Sequence, residues 1–267
     1  MSSTEERFKR SDGTWDPARV TAVHEPILRS FGQDVTKAAD GSRVVYMTGG
    51  GFGSGKSTLL DNFAALVGFP PREDAPRCDP DAAKQLIPEM AELVSRGDRG
   101  AATKVHEESS HLAREGVARA LSQGRSVVYD TSGDTSPVKL AEKVRDFRRR
   151  GATRVIAHYA FPGSIPEAWK RVQARQNHSQ GIRRVLTRPQ VEVNHREVSR
   201  CWQEAAAKGI FDDLALWSTA GPLGGAPTLI ARVVDGHIRV LDQTAYDAFV
   251  RMGKPRKSSS TPITTRA

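Results

Sequence analysis

The amino-acid sequence predicts an α/β protein with a mainly parallel, five-stranded sheet and helices on both faces. Short apolar segments alternate along the chain with segments of helical periodicity, and a glycine-rich loop joins the first apolar segment to the next helix. Strands that alternate with helices pair in parallel, because each crossover returns the chain to the same edge of the sheet. In addition, Asp235-Gly236 within residues 227–241 predicts a C-terminal β-hairpin.

The organisation along the chain follows from composition. Of the 267 residues, 38% are hydrophobic and 27% are charged, which is typical of a globular protein. We expect a single domain over residues 16–252, with its core at about 43–219. A flexible N-terminus is expected at 1–15 and a disordered basic tail at 253–267.

The net charge of +9 raises nucleic acid as a possible partner, but the tail from Arg251 onward carries five basic residues and no acid. This distribution favours a solvated tail over a nucleic-acid surface. No apolar run approaches the length of a membrane span, so we expect no membrane partner. Cys78 and Cys201 lie far apart in no metal-like or redox spacing, and we expect a cytoplasmic protein.

The elements can be assigned in chain order from caps and periodicity. Asp16 is a candidate N-cap with Pro17 at the first helical position, and Pro26 is expected to bend that helix. The strand candidates are residues 43–48, a short stretch near Cys78, 125–130, 153–161 and 214–219. The later helix candidates are residues 56–67, 81–96 with a restart at Pro88, 101–122, 136–151 with Ser136 as N-cap, 165–176, 190–208 and 243–252.

The glycine-rich loop TGGGFGSGKST, residues 48–58, contains the P-loop (Walker A) pattern G-x-x-x-x-G-K-[ST]. Consecutive backbone N–H groups must approach an anion there, and side chains would block them. We expect Lys56 to reach the β- and γ-phosphates of a nucleotide and the Ser57 hydroxyl to bind Mg²⁺. The predicted nucleotide-binding residues are Gly50, Gly51, Phe52, Gly53, Ser54, Gly55, Lys56, Ser57 and Thr58. The sequence shows no convincing N-K-x-D guanine-reading motif, which favours ATP over GTP.

Two aspartates in the segment RCDPDAAK are candidates for acceptor chemistry. Asp79 has the position of an N-cap, with Pro80 as the first helical residue. Asp81, in the first turn, has no capping role and is expected to face the substrate. Its carboxylate could accept the proton of an acceptor hydroxyl or orient that hydroxyl for attack.

Further polar residues follow the strand at 125–130. Asp130 ends it, and Ser132 and Asp134 come next. Ligands of open α/β sheets bind beyond the carboxyl ends of the strands. Asp130 could hold Mg²⁺ through water or bind a sugar, and the sequence leaves both readings open.

An arginine-rich segment after the fourth strand predicts a lid. Guanidinium groups that close on a γ-phosphate neutralise charge in the transition state and exclude water. We expect two catalytic arginines, one from the pair Arg171 and Arg175 and one from the group Arg183, Arg184 and Arg188. Our choices are Arg175 and Arg184, with Arg171 and Arg188 as the alternatives.

Taken together, these segments resemble the zeta toxin family of P-loop kinases over about residues 43–217. The resemblance rests on GGGFGSGKST, on DPDAAK where the family has D-x-D-x-x-K, on LSQGRSVVYDTSGD and on the arginine segment that ends at Pro189. It implies transfer of the γ-phosphate of ATP to the 3′-hydroxyl of UDP-N-acetylglucosamine, and restraint by an antitoxin protein. Lys56, Ser57 and Asp81 match the family's P-loop lysine, Mg²⁺-binding hydroxyl and general base. Asp130 stands where the family commonly has a glutamate that contacts the acceptor sugar.

Two other functions remain open from the sequence. The scaffold is also similar to kinases that act on antibiotics, dinucleotides or polynucleotide 5′ ends. A protein of another class, an ATP-hydrolysing switch whose output is binding, would use the same loop. Transfer to an added acceptor, as opposed to release of free phosphate, distinguishes the kinases from the switch.

Overall fold

The computed structural model describes residues 2–32, 41–131, 135–178, 185–222 and 224–254. Its centre is one mixed sheet with the strand order β2-β3-β1-β4-β5-β6-β7. The strands are β1 (Val44–Gly49), β2 (Arg77–Cys78), β3 (Val127–Tyr129), β4 (Arg154–Phe161), β5 (Asp213–Ser218), β6 (Thr228–Val234) and β7 (His237–Val240). The first five pair in parallel and the last two form an antiparallel hairpin at the β5 edge, as the sequence predicts.

The strand order places the ligand-binding edge next to β1. After β1 the chain forms β2 and β3, which lie to one side of β1 within the sheet, and then β4 and β5, which lie to its other side. In such sheets ligands bind beyond the carboxyl ends of the strands, where the order reverses. The loops that follow β1, β2 and β3 therefore meet at one site.

Thirteen α-helical segments are assigned within the described residues. They are α1 (Thr4–Phe8), α2 (Pro17–Arg19), α3 (Glu25–Ser30), α4 (Lys56–Asn62), α5 (Ala64–Val67), α6 (Pro80–Leu86), α7 (Pro88–Ser95), α8 (Ala101–Lys104), α9 (His106–Ser122), α10 (Pro137–Arg149), α11 (Ile165–His178), α12 (Arg188–Ala207) and α13 (Gln243–Gly253). Asp16, Asp79 and Ser136 cap their helices as predicted. The helices predicted over 56–67 and 101–122 are each interrupted, at Phe63 and at Val105.

The first long helix contains a wide turn. A π-helical segment, Val20–His24, joins α2 to α3, and the N–H of Glu25 donates to the carbonyl oxygen of Val20. Pro26 has no N–H and would clash with the carbonyl of an ordinary helical turn, so widening the preceding turn accommodates it. The bend predicted at this proline therefore takes the form of a π-helical turn.

The helices cover both faces of the sheet. Met47 and Tyr129 belong to the larger core cluster, together with buried residues of α9 and α12 such as Leu112 and Trp202. The second cluster lies on the other face, where α4 and α5 pack on the sheet around Leu59. No helix within the described ranges has the length and apolar character that crossing a bilayer requires.

The N-terminal segment differs from the flexible start expected at 1–15. Helix α1 carries a capping box, and its Thr4 is buried. Just beyond, the buried Arg19 donates hydrogen bonds to Glu89, at 2.6 and 3.0 Å, and to Glu108, at 2.7 and 3.0 Å. A buried charge is stable only when it is paired, so this network ties α2, which follows the segment, to α7 and α9. Of the expected tail, residues 255–267 lie outside the described residues.

Candidate active site

The predicted phosphate-binding loop lies between β1 and α4, at the carboxyl edge of the sheet. Gly53 and Gly55 have φ of 71° and 91°, in the left-handed region that glycine adopts without strain. The ammonium of Lys56 donates to the carbonyl oxygens of Gly50, at 3.0 Å, and Gly51, at 3.2 Å. Burial lowers the pKa of Lys56, while the nearby Asp130 carboxylate acts in the opposite direction. The lysine is therefore held at the loop, within the field of the acidic residues.

The protein itself occupies some of the N–H groups that were expected to bind phosphate. The N–H of Phe52 donates to Oδ1 of Asn194 at 2.9 Å, and the N–H of Ser54 donates to the carbonyl of Gly51 at 3.2 Å. The first-turn N–H groups of α4, including those of Ser57 and Thr58, have no acceptor within the helix. The N–H of Phe52 is therefore already paired within the protein, and the start of α4 is the better anion site.

The glycines of the loop also make room for neighbouring protein atoms. A Cβ at Gly53 would lie 2.5 Å from the carbonyl oxygen of Ala168 in α11. A Cβ at Gly51 would lie 2.7 Å from the ring of His195 in α12. Sequence reasoning missed Asn194 and His195, because they lie about 140 residues beyond the loop. The extra glycine at 51, which the P-loop pattern does not require, was the available signal.

A second support comes from the end of β5. The hydroxyl of Thr219 donates to the carbonyl of Ser54 at 2.6 Å. Arg171 in turn donates to Thr219, to its hydroxyl at 3.1 Å and its carbonyl at 2.7 Å, and forms an ion pair with Glu167 at 3.0 Å. The guanidinium of Arg171 is thus part of the support beneath the loop, which argues against it as a phosphate-binding lid arginine.

The remaining lid arginines are placed differently. Arg175, one turn after Arg171 in α11, lines the cleft in front of the loop. Arg188 forms an ion pair with Glu192 at 3.2 Å, and its side chain is 55% exposed. Arg184, the second expected catalytic arginine, lies outside the described residues.

One cleft of about 680 Å³ connects the loop with the expected acceptor residues. The stretch Phe52–Ser57 forms one part of its lining. Asp79, Asp81 and Asp130 form another, and residues of α6, α9 and α10 complete it. The volume lies within the range of small-molecule sites.

The three aspartates of the cleft have different environments. Asp79 accepts the N–H of Asp81 at 2.7 Å as the cap of α6. Burial and the neighbouring Asp130 and Asp81 carboxylates raise the pKa of Asp79 to about 7. Burial also raises the pKa of Asp130, against the opposing hydrogen bond that it accepts from the Thr48 hydroxyl at 2.5 Å. This crowding of negative charge would favour binding of a cation or of a hydroxyl donor.

Asp81 is the most accessible of the three. Its side chain is 80% exposed, and Oδ1 accepts a hydrogen bond from Lys84 at 2.6 Å. The Lys84 side chain is only 11% exposed, so the ammonium is presented to Asp81 from the body of α6. Asp81 and the P-loop lysine line the same cleft, as the sequence predicts. Ser132 and Asp134, the other predicted acceptor-binding residues, lie outside the described residues.

The lining of the cleft also includes basic residues that sequence reasoning did not single out. Arg114 lies two helical turns after His106 in α9, on the face of that helix that lines the cleft. Lys143 of α10 also lines it, with its ammonium 5.5 Å from the centre of the Tyr129 ring. The spacing of His106, Ser110 and Arg114 at intervals of four residues was the signal that could have identified this wall.

The residues present suit Mg²⁺. Within the part of the chain that the structure describes, no three His, Cys, Asp or Glu side chains converge as metal ligands. Mg²⁺ in kinases commonly takes only one or two protein oxygens, with phosphates and water completing its octahedron. The Ser57 hydroxyl and the Asp130 carboxylate line the same cleft and could supply those oxygens.

Comparison with solved structures shows the same fold. The AvrRxo1-ORF1:AvrRxo1-ORF2 complex with ATP matches with a TM-score of 0.66 at 16% identity, over 96% of this chain and 84% of that chain. A structure from the PezAT chromosomal toxin-antitoxin system of Streptococcus pneumoniae matches with a TM-score of 0.65 at 10% identity, over 90% of this chain and 88% of that chain. No curated protein sequence matches the chain.

The sequence itself decides the family. The zeta toxin family model matches residues 30–217, which covers most of the chain and includes the P-loop, the aspartate segment and the lid. The resemblance inferred from the motifs is confirmed. The chain belongs to the zeta toxin family and is a P-loop kinase.

Proposed function

We propose that this kinase transfers the γ-phosphate of ATP to a hydroxyl group of a nucleotide sugar such as UDP-N-acetylglucosamine. One observation carries the proposal: Lys56 and Ser57 share a single cleft with the exposed carboxylate of Asp81, and the cleft has room for an acceptor. A hydrolytic switch has no need of a carboxylate and a basic pocket beyond the loop. A kinase needs both, because its acceptor must be held and deprotonated.

The proposed roles follow from position. Lys56 stabilises charge on the β- and γ-phosphates, and Arg175 does so from α11. The acceptor hydroxyl oxygen forms a bond to the γ-phosphorus, the bond between that phosphorus and the β–γ bridging oxygen breaks, and ADP leaves. The hydroxyl proton passes to the carboxylate of Asp81. Mg²⁺, when held at Ser57 and Asp130, would neutralise phosphate charge.

The basic residues of the cleft favour a phosphate-bearing acceptor. Lys84, Arg114 and Lys143 line the cleft, and cationic side chains can form charge-assisted hydrogen bonds with a diphosphate. A nucleotide sugar places a diphosphate beside the sugar hydroxyl that reacts. A dinucleotide would meet the same cations, so it is the second candidate acceptor.

We further propose that the protein is a cytoplasmic toxin held in check by an antitoxin protein. Family membership supports this, as do the neighbours whose structures are described as a complex of two proteins and as part of a toxin-antitoxin system. Binding of the partner near the cleft would stop transfer without altering the fold.

The test is to incubate the purified protein with γ-labelled ATP and a panel of nucleotide sugars, dinucleotides, antibiotics and oligonucleotides. We expect label on a nucleotide sugar and none with Asp81→Asn. Label at oligonucleotide 5′ ends, with a steep loss of activity as salt rises, would identify a polynucleotide kinase instead. Release of free phosphate alone, whatever acceptor is added, would favour the switch.

A further inference from the structure

The P-loop is held from behind by a pair of adjacent side chains in α12. Asn194 Oδ1 accepts the N–H of Phe52 at 2.9 Å, and His195 Nε2 lies 2.8 Å from the Phe52 carbonyl oxygen. Both polar groups of one loop residue are therefore bound by consecutive residues of one helix. A carbonyl oxygen can only accept, so the proton of the imidazole is on Nε2, which donates.

The His195 ring is buried and packs closely against the loop. His195 is 3% exposed, and its ring fills the space that a side chain at Gly51 would need. Burial, with a smaller effect from Lys56, lowers the pKa of His195 to about 4, so the ring is neutral at physiological pH. A neutral imidazole with a fixed donor suits a structural clamp, and it leaves positive charge at the loop to Lys56.

The P-loop pattern places the clamped peptide at the end of the loop where the terminal phosphates of a nucleotide are expected. Lys56, the residue that reaches the β- and γ-phosphates, donates to the carbonyls of Gly50 and Gly51, directly before Phe52. The opposite end of the loop runs into α4, whose first-turn N–H groups do not depend on Asn194 or His195. Movement of the Phe52 peptide should therefore disturb the γ-phosphate more than the rest of the nucleotide.

Apolar contacts join the loop to α11 as well as to α12. The Phe52 side chain packs on a small cluster of Ala168 and Val172 from α11 and Val191 from α12. Val191 precedes Asn194 by about one helical turn. The loop is thus fastened, by polar and apolar contacts, to helices α11 and α12.

We propose that Asn194 and His195 are positioning residues that set the place of the γ-phosphate by holding the Phe52 peptide. This inference rests on ATP binding at the P-loop and is independent of which acceptor the kinase uses. A merely structural role for the pair would weaken ATP and ADP binding alike. A positioning role weakens ATP binding selectively, because ADP lacks the phosphate concerned.

The experiment measures ATP and ADP dissociation constants, with Mg²⁺, for Asn194→Ala and His195→Leu. We expect ATP affinity to fall about tenfold in each, the size of one lost hydrogen bond, with ADP affinity nearly unchanged. The rescue variants Asn194→Asp and His195→Gln, which restore an acceptor and a donor, should recover most of the ATP affinity. Val198→Ala, a buried substitution in the same helix, is the control for lost stability and should not change the ATP-to-ADP ratio.

Equal losses of ATP and ADP affinity, or rescue variants as weak as the deletions, would overturn the proposal. Asn194 is only partly buried, so Asn194→Ala should fold even if His195→Leu does not. Failure of every variant and of the unaltered protein to bind ATP would refute the proposed ATP-dependent function instead.

Discussion

The two parts of the cleft are built on different physical principles. On the P-loop side, Thr219, Asn194 and His195 hold the backbone of the loop through fixed hydrogen bonds. On the acceptor side, Asp79 and Asp130 are crowded carboxylates with raised pKa values. The first part is preorganised before a nucleotide arrives, whereas the second stores unfavourable charge that a substrate or cation would relieve. Substitutions in the two parts should therefore have different kinds of effect on activity and stability.

The largest expected effect is at the acceptor side. Asp81→Asn removes the proposed proton acceptor while keeping the shape of the side chain, and phosphoryl transfer should fall about 10³-fold. ATP affinity should stay unchanged, because the carboxylate is assigned to the acceptor. Steady-state transfer and nucleotide binding measure the two quantities.

A matched control for this substitution is Asp235→Asn, in the hairpin turn between β6 and β7. Its carboxylate does not line the cleft, so both transfer and ATP binding should be unaffected. Full activity of the Asp81→Asn variant would refute the assignment of Asp81 as the proton acceptor.

Two arginines one helical turn apart test the P-loop side. Arg175→Met removes a cation from the cleft, and transfer should fall about 10²-fold with little change in stability. Arg171→Met breaks the hydrogen bonds to Thr219, so the free energy of unfolding should fall by about 1–2 kcal/mol while transfer falls less than in Arg175→Met. Denaturant unfolding and kinetics on both variants make the comparison. The reverse outcome would mean that Arg171, and not Arg175, meets the phosphate.

These arginines show where sequence reasoning reaches its limit. The P-loop was predictable because its glycines, lysine and serine are contiguous, and Asp79 because caps are local. The choice between Arg171 and Arg175 depends on Thr219, which is 48 residues away and invisible to helical periodicity. Asn194 and His195 were missed for the same reason, since a contact between distant segments leaves only indirect traces such as the glycine at 51.

The raised pKa of Asp79 predicts a pH dependence of stability. With a folded pKa of about 7 and an ordinary value of 3.8, the folded state alone holds this proton between those pH values. The contribution of Asp79 to the free energy of unfolding is therefore greatest at low pH and declines as the pH rises to about 7. Asn caps a helix as well as Asp, so Asp79→Asn should stabilise the protein by up to roughly 4 kcal/mol at pH 8 and hardly at all at pH 4.

Urea unfolding at pH 4 and pH 8 measures this difference. Other carboxylates titrate over the same interval, so the informative quantity is the difference between the variant and the unaltered protein at each pH. Asp235→Asn, at an exposed residue in the hairpin turn outside the cleft, serves as the control. A difference that is the same at both pH values would show that Asp79 does not carry the proton.

The smallest expected effect concerns Lys84, the partner of Asp81. Ion pairs with exposed carboxylates contribute little, so Lys84→Met should lower transfer only about fivefold, by releasing Asp81 from its orientation. The double variant, Asp81→Asn with Lys84→Met, distinguishes this orienting effect on Asp81 from a direct contact of Lys84 with the acceptor. If Lys84 acts only through Asp81, Lys84→Met should have no further effect once Asp81→Asn is present. If it also binds acceptor phosphate, the two losses should multiply and the Michaelis constant for the acceptor should rise, which would give Lys84 a direct role in acceptor binding.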